Sequence, residues 1–186
     1  FDPRASVARN LYNLGLTLRD LGDVAEAESC FRRIVCLDAS DVDALHHLGS
    51  LLHGRMQLEE AAHVYRQALA INPQDPPLWL ALGEVGLARF TDRSLQESAE
   101  AFGKAVALQP ALAHAHHGLG RAHRLDGRHD LALRCFEAAL ELAPDDASFR
   151  ADALWERQSM CEWAGFRELS AGLLRVALVQ PVAPFN

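Results

Sequence analysis

The sequence predicts an all-α fold, a solenoid of stacked helical hairpins, on three observations: a recurring leucine–glycine pair, a small residue and an aromatic that follow each pair, and a helix-ending triplet that closes each unit. The pairs are Leu14-Gly15, Leu48-Gly49, Leu82-Gly83 and Leu119-Gly120, at intervals of 34, 34 and 37 residues. Ala27 and Phe31, Ala61 and Tyr65, Ser98 and Phe102, and Ala132 and Phe136 form the second set. The triplets are Leu37-Asp38-Ala39, Ile71-Asn72-Pro73, Leu108-Gln109-Pro110 and Leu142-Ala143-Pro144, and proline in three of them cannot continue a helix. Self-similarity at such a period marks an array in which each hairpin has an apolar face that only its neighbour can cover.

In chain order, residues 1–7 lead in and the hairpins occupy 8–41, 42–75, 76–112 and 113–146. A degenerate capping hairpin follows over 147–180, with Trp155, Trp163 and Phe166 expected to cover the end of the stack, and 181–186 begin a linker. Glycine in the first helix and the small residue in the second remove bulk, so the helices of a hairpin can approach and lock on Phe31, Tyr65, Phe102 or Phe136. The third hairpin is three residues longer from Gly83 to its proline than the others. The expectation is a longer turn within Ala88–Ser94, with Phe90 capping the hairpin.

Leucine–glycine, small residue, aromatic and proline at these offsets resemble the tetratricopeptide repeat over residues 8–146. The resemblance implies a right-handed superhelix whose first helices line a concave groove through positions two, five, six, nine and twelve of each repeat. Those positions hold Arg9, Tyr12, Asn13, Leu16 and Arg19, then Asp43, His46, His47, Ser50 and His53. Pro77, Leu80, Ala81 and Glu84 follow from repeat three, and His114, His117, Gly118, Arg121 and Arg124 from repeat four. Such a mixture of planar donors, aromatics and charges suits an extended peptide, whose backbone needs polar partners and whose side chains need shallow pockets. The alternative is a solvated inner surface. Two groove types of the family are missing. The carboxylate clamp would need Lys, Asn and Arg where Tyr12, Leu16, His47, Pro77 and Ala81 stand; the asparagine ladder would need Asn at position six, where only Asn13 supplies it.

Composition narrows the remaining classes. A net charge of −7 argues against nucleic-acid binding, which calls for a basic face. No apolar run reaches the length of a membrane span and the N-terminus lacks a signal-peptide layout, so a cytoplasmic protein is expected. Cys30, Cys36, Cys135 and Cys161 fall in no CxxC or zinc spacing and read as reduced. His46 with His53, and His114 with His117, could each share a helix face as metal ligands, but no accompanying HExxH or Cys/His cluster exists, and hydrogen-bonded histidines are the expectation. No phosphate loop or nucleophile elbow is present, so neither cofactor nor catalysis by this chain is expected. Glu84, Glu97 and Glu100 read as surface charges.

Met160-Cys161-Glu162-Trp163, a leucine-rich helix and Pro181-Val182-Ala183-Pro184-Phe185 resemble the segment that joins the repeats to the catalytic half in SPINDLY-like relatives of O-GlcNAc transferase. The resemblance implies a substrate-recruiting array that serves a C-terminal glycosyltransferase domain in a longer parent chain, and the abrupt start and end of the sequence fit such a piece. A self-standing adaptor in complex assembly or secretion is the alternative. Either way the partner is a protein or peptide segment.

Overall fold

A computed structural model describes residues 3–160. Regular structure among them is helical: α1 (Pro3–Asp20), α2 (Val24–Leu37), α3 (Val42–Gly54), α4 (Leu58–Ile71), α5 (Pro76–Arg89), α6 (Asp92–Leu108), α7 (Ala113–Leu125) and α8 (His129–Leu142). Residues 147–160 open a further helix, α9. The remainder of the expected capping hairpin and the SPINDLY-like segment from Cys161 onward lie outside the described residues. Consecutive helices pack in pairs, and α3, α5 and α7 also touch in succession, which sets the first helices side by side as one wall.

Local chemistry fixes the helix ends. Asp41 accepts the Ala44 amide at the start of α3, Asp75 does the same for Leu78 ahead of Pro76, and Thr91 with Ser94 forms a reciprocal capping box at α6. Every hairpin turn places the residue seven after its landmark glycine in the left-handed region: Gly22, Met56, Phe90 and Gly127. Glycine takes that conformation without steric cost; Met56 and Phe90 do not.

The glycine–aromatic lock is present in every repeat. A methyl group added at Gly15, Gly49, Gly83 or Gly120 would lie 2.6–3.0 Å from the ring of Phe31, Tyr65, Phe102 or Phe136, respectively. Ala27, Ala61, Ser98 and Ala132 are fully buried at the crossings, and the Ser98 hydroxyl donates to the Gly83 carbonyl at 2.7 Å. The core runs along the stack: one cluster extends from Leu11 to Val85, and smaller ones at Phe102 and Phe136 continue it. Leu14 is 50% exposed whereas Leu48, its equivalent one repeat on, is 3% exposed, because α1 has no hairpin before it among the described residues.

The extra residues of the third repeat do not lengthen its turn. That turn contains only Phe90 and Thr91, and the insertion instead adds a turn to the N-terminal end of α6, which spans 17 residues where α2, α4 and α8 span 14. The capping box makes the extension favourable by satisfying amides that would otherwise be orphaned. Phe90 covers no hairpin; it is 66% exposed and serves as the left-handed end of α5.

Candidate peptide-binding groove

The wall formed by α1, α3, α5 and α7 carries the residues that position counting assigns to the groove, and several meet across neighbouring repeats. At the first junction the Tyr12 hydroxyl and His47 Nε2 share a 2.9 Å hydrogen bond, and the Tyr12 ring stands edge-on to Phe31. Phe31 in turn stacks on His47 with centroids 5.1 Å apart. Burial, with smaller effects of His46 and Arg19 set against the Asp43 and Asp41 carboxylates, pushes the His47 pKa below its ordinary value. The imidazole is therefore neutral at neutral pH, the form that can accept the tyrosine proton. Burial, then the Asp43 and Asp41 carboxylates, raise the Tyr12 pKa, so its proton stays in place.

At the other end His117 Nε2 lies 2.7 Å from Asp152 Oδ2, and the Arg124 guanidinium donates to Asp152 Oδ1 at 2.6 Å. Burial alone would push the Asp152 carboxyl up. The hydrogen bonds and charges of Arg124 and His117 outweigh it and hold the group below the usual carboxylate range. The Arg124 guanidinium also sits over Phe136 and Trp155, at 5.2 and 5.3 Å from the ring centres. Between these ends, Arg121 donates to Glu84 at 3.1 Å, joining position nine of repeats three and four.

The other predicted residues divide into two groups. His46 lies half-buried between His47 and Tyr65, and His114 stands edge-on to Phe149. Leu80 packs against the cluster around Phe102, and Arg19 pairs with Asp20 on its own helix. Arg9, Asn13, Asp43, Ser50 and His53 make no side-chain hydrogen bond among the described residues, and all but the half-buried His53 are exposed. Position six changes character along the array: His47 stacks on Phe31, Ala81 is small, and Gly118 gives its space to the Phe102 ring. No three His, Cys, Asp or Glu side chains gather as a metal-holding group among the described residues.

Asp152, which bonds two of the candidate groove residues, is one that position counting left out. It occupies position six of the fifth unit, 34 residues after Gly118, and extending the register past Pro144 would have found it. No helix among the described residues is long and apolar enough to cross a membrane.

Family models described as "Tetratricopeptide repeat" match residues 12–76 and 113–146. Superkiller protein 3 of Schizosaccharomyces pombe is 28% identical over 138 residues, which is 72% of this chain and 10% of that protein. Protein O-mannosyl-transferase TMTC1 of Homo sapiens is 29% identical over 136 residues, 73% of this chain and 15% of that protein. The chain thus spans only a small fraction of either relative's length. Among solved structures, the crystal structure of MamA protein superposes with a TM-score of 0.77 at 18% identity, covering 97% of this chain and all of that one; at that identity the likeness concerns the fold.

Proposed function

Because this chain is a tetratricopeptide-repeat protein, we propose that it holds an extended segment of another polypeptide in the groove formed by α1, α3, α5 and α7. The contrast within the groove carries this reading. Its junctions are tied by Tyr12–His47, by Glu84–Arg121 and by His117, Arg124 and Asp152, while Ala81 keeps the floor low between the first two. A backbone can pass over small residues, and the unbonded Asn13, Ser50, His53 and Arg9 supply the polar partners its amides require. The role is that of a scaffold, with chemistry left to partners, in a cytoplasmic setting. An array of immobilised random peptides tests it: the double change His46→Ala with Arg121→Ala should weaken the captured set without unfolding the repeats. Retention of the same peptides, with loss only when the second helices are altered, overturns the groove assignment.

A second reading makes these repeats the recruiting arm of a protein glycosyltransferase. It is favoured by the Met160-Cys161-Glu162-Trp163 string and by the similarity to part of a protein O-mannosyl-transferase. In that setting the groove would raise the local concentration of acceptor near an active site and lower the apparent KM more than it raises kcat. Sugar transfer from a nucleotide sugar by this chain alone overturns it. Transfer by a chain extended past Asn186, lost for proteins but kept for short peptides on deletion of the repeats, supports it. The self-standing adaptor predicts no transfer in either case.

A further inference from the structure

A second hollow lies on the other side of the solenoid. A cavity of about 780 Å³ opens between α4 and α6 with α5 as its floor. Trp79, Leu82, Gly86 and Arg89 line it from α5. At about 100° per residue this stripe faces away from Pro77, Leu80, Ala81 and Glu84, so the cavity belongs to the convex face and is separate from the groove. The floor is apolar where Leu69, Ala70, Leu82 and Ala101 meet.

The rim is cationic in a chain whose net charge is −7. Arg66, Arg89, Arg93 and Lys104 face Glu97 and Glu100. Three of these cations share one carboxylate: Arg66 reaches Glu97 at 3.0 Å, Arg93 at 3.1 Å and Arg89 at 3.5 Å, while Arg89 also holds Glu59 at 2.8 Å. One carboxylate cannot use all the donors of three guanidinium groups. Lys104 has no carboxylate partner among the described residues, and its ammonium rests 4.1 Å over the Trp79 ring. The Trp79 indole is itself fixed by donating to the Pro73 carbonyl at 2.9 Å. Arg93 comes from the extra turn of α6, so the three-residue insertion supplies part of this wall.

We propose that this convex cavity is a second binding site, which takes an acidic segment of a partner protein with an apolar side chain between its carboxylates. The apolar side chain fills the space over Leu82, Ala101 and the Trp79 ring. Flanking carboxylates take the unused donors of Arg66 and Arg93 on one side and the Lys104 ammonium on the other. Charge complementarity selects this occupant: a basic segment meets four cations, and a purely apolar one leaves the spare donors without partners. Two sites on opposite faces let the array join two polypeptides at once.

The probe is a fluorescein-labelled peptide of alternating glutamate and leucine, titrated with this chain at low and moderate salt and followed by anisotropy. Binding that weakens with salt, and at least about tenfold in the Arg93→Glu/Lys104→Glu variant, is expected; His46→Ala/Arg121→Ala should leave it unchanged. Both altered side chains are exposed, and circular dichroism checks the helices. If the charge reversal disturbs them, Arg93→Gln/Lys104→Gln removes the same contacts without adding negative charge. Quenching of tryptophan emission on binding, lost in Trp79→Phe, locates the peptide. No binding at millimolar chain overturns the proposal, as does equal binding by the charge variants or loss only in the groove variant. Displacement of the peptide by a short single-stranded RNA at lower concentration also overturns it, because the cations would then serve phosphates.

Discussion

Alanine at Gly118 should destabilise the array, although alanine is the better helix former. Gly118 lies within α7, where replacing glycine with alanine alone gains roughly 0.5–1 kcal/mol. Its new methyl group, however, would lie 2.4 Å from Cε1 of Phe102, which must retreat about 1 Å to reach ordinary contact. The ring has no route of retreat, since it is fully buried and a methyl at Gly83, on its own hairpin, would already lie 2.7 Å away. Overpacking of this kind costs about 1–3 kcal/mol, so the net effect is a loss of up to about 2 kcal/mol. Gly103 on α6 is the control, because a methyl there meets nothing within 4 Å and should stabilise by roughly 0.5–1 kcal/mol. Urea titrations followed by circular dichroism measure both, and Phe102→Leu combined with Gly118→Ala should recover part of the loss as a coupling term. Equal or greater stability of Gly118→Ala would show that Phe102 is not wedged between two glycines, and the account of how repeats three and four lock would fail.

Other perturbations test other parts of the structure. Ala61→Leu should push α3 and α4 apart at a cost of about 1–3 kcal/mol, with faster hydrogen exchange in the hairpins on either side; exchange confined to residues 42–75 would contradict nearest-neighbour stacking. Met56→Gly should raise stability by roughly 0.5–1 kcal/mol in the same urea assay, because it relieves a left-handed side chain without touching a packed surface. Glu28 is held below its ordinary carboxyl range, since Arg32 and Arg55 outweigh a burial that alone would raise it, and Asp152 is held below its own by Arg124 and His117. Both stay ionised to lower pH in the folded chain than in the unfolded one. Their stabilisation is therefore complete above the ordinary values of 4.5 and 3.8 and is lost as pH falls through the depressed ones, and Glu28→Gln with Asp152→Asn should flatten the acid limb of a melting-temperature profile.

The repeat was legible because its marks are steric. Glycine opposite an aromatic, alanine at a crossing and proline past a helix end each have one geometric use, and the structure uses them so at Gly49 and Tyr65, Ala61 and Pro73. The insertion in repeat three was misplaced because glycine-to-proline counting measures only total length. Whether three residues enter a turn or a helix depends on Thr91 and Ser94, whose reciprocal bonds tip them into α6. The register gives candidate groove positions by counting, but not their bonds. Asp152 sits beyond the last clear landmark, and nothing in the spacing says that Tyr12 meets His47 while His46 turns toward Tyr65. The convex cavity left no pattern to find, since Trp79, Arg66 and Lys104 belong to three helices and come together only when two hairpins stack.

The polar ties between hairpins are unevenly placed. Repeats one and two, three and four, and four and α9 are each joined on the groove side, by Tyr12–His47, Glu84–Arg121 and His117–Asp152. Between repeats two and three the ties among the described residues lie on the outer side, Arg66 with Glu97 and Glu59 with Arg89. That junction works like a book with its spine on the convex edge. Opening its pages breaks no hydrogen bond, only apolar contact, so the width of the groove is most easily adjusted there.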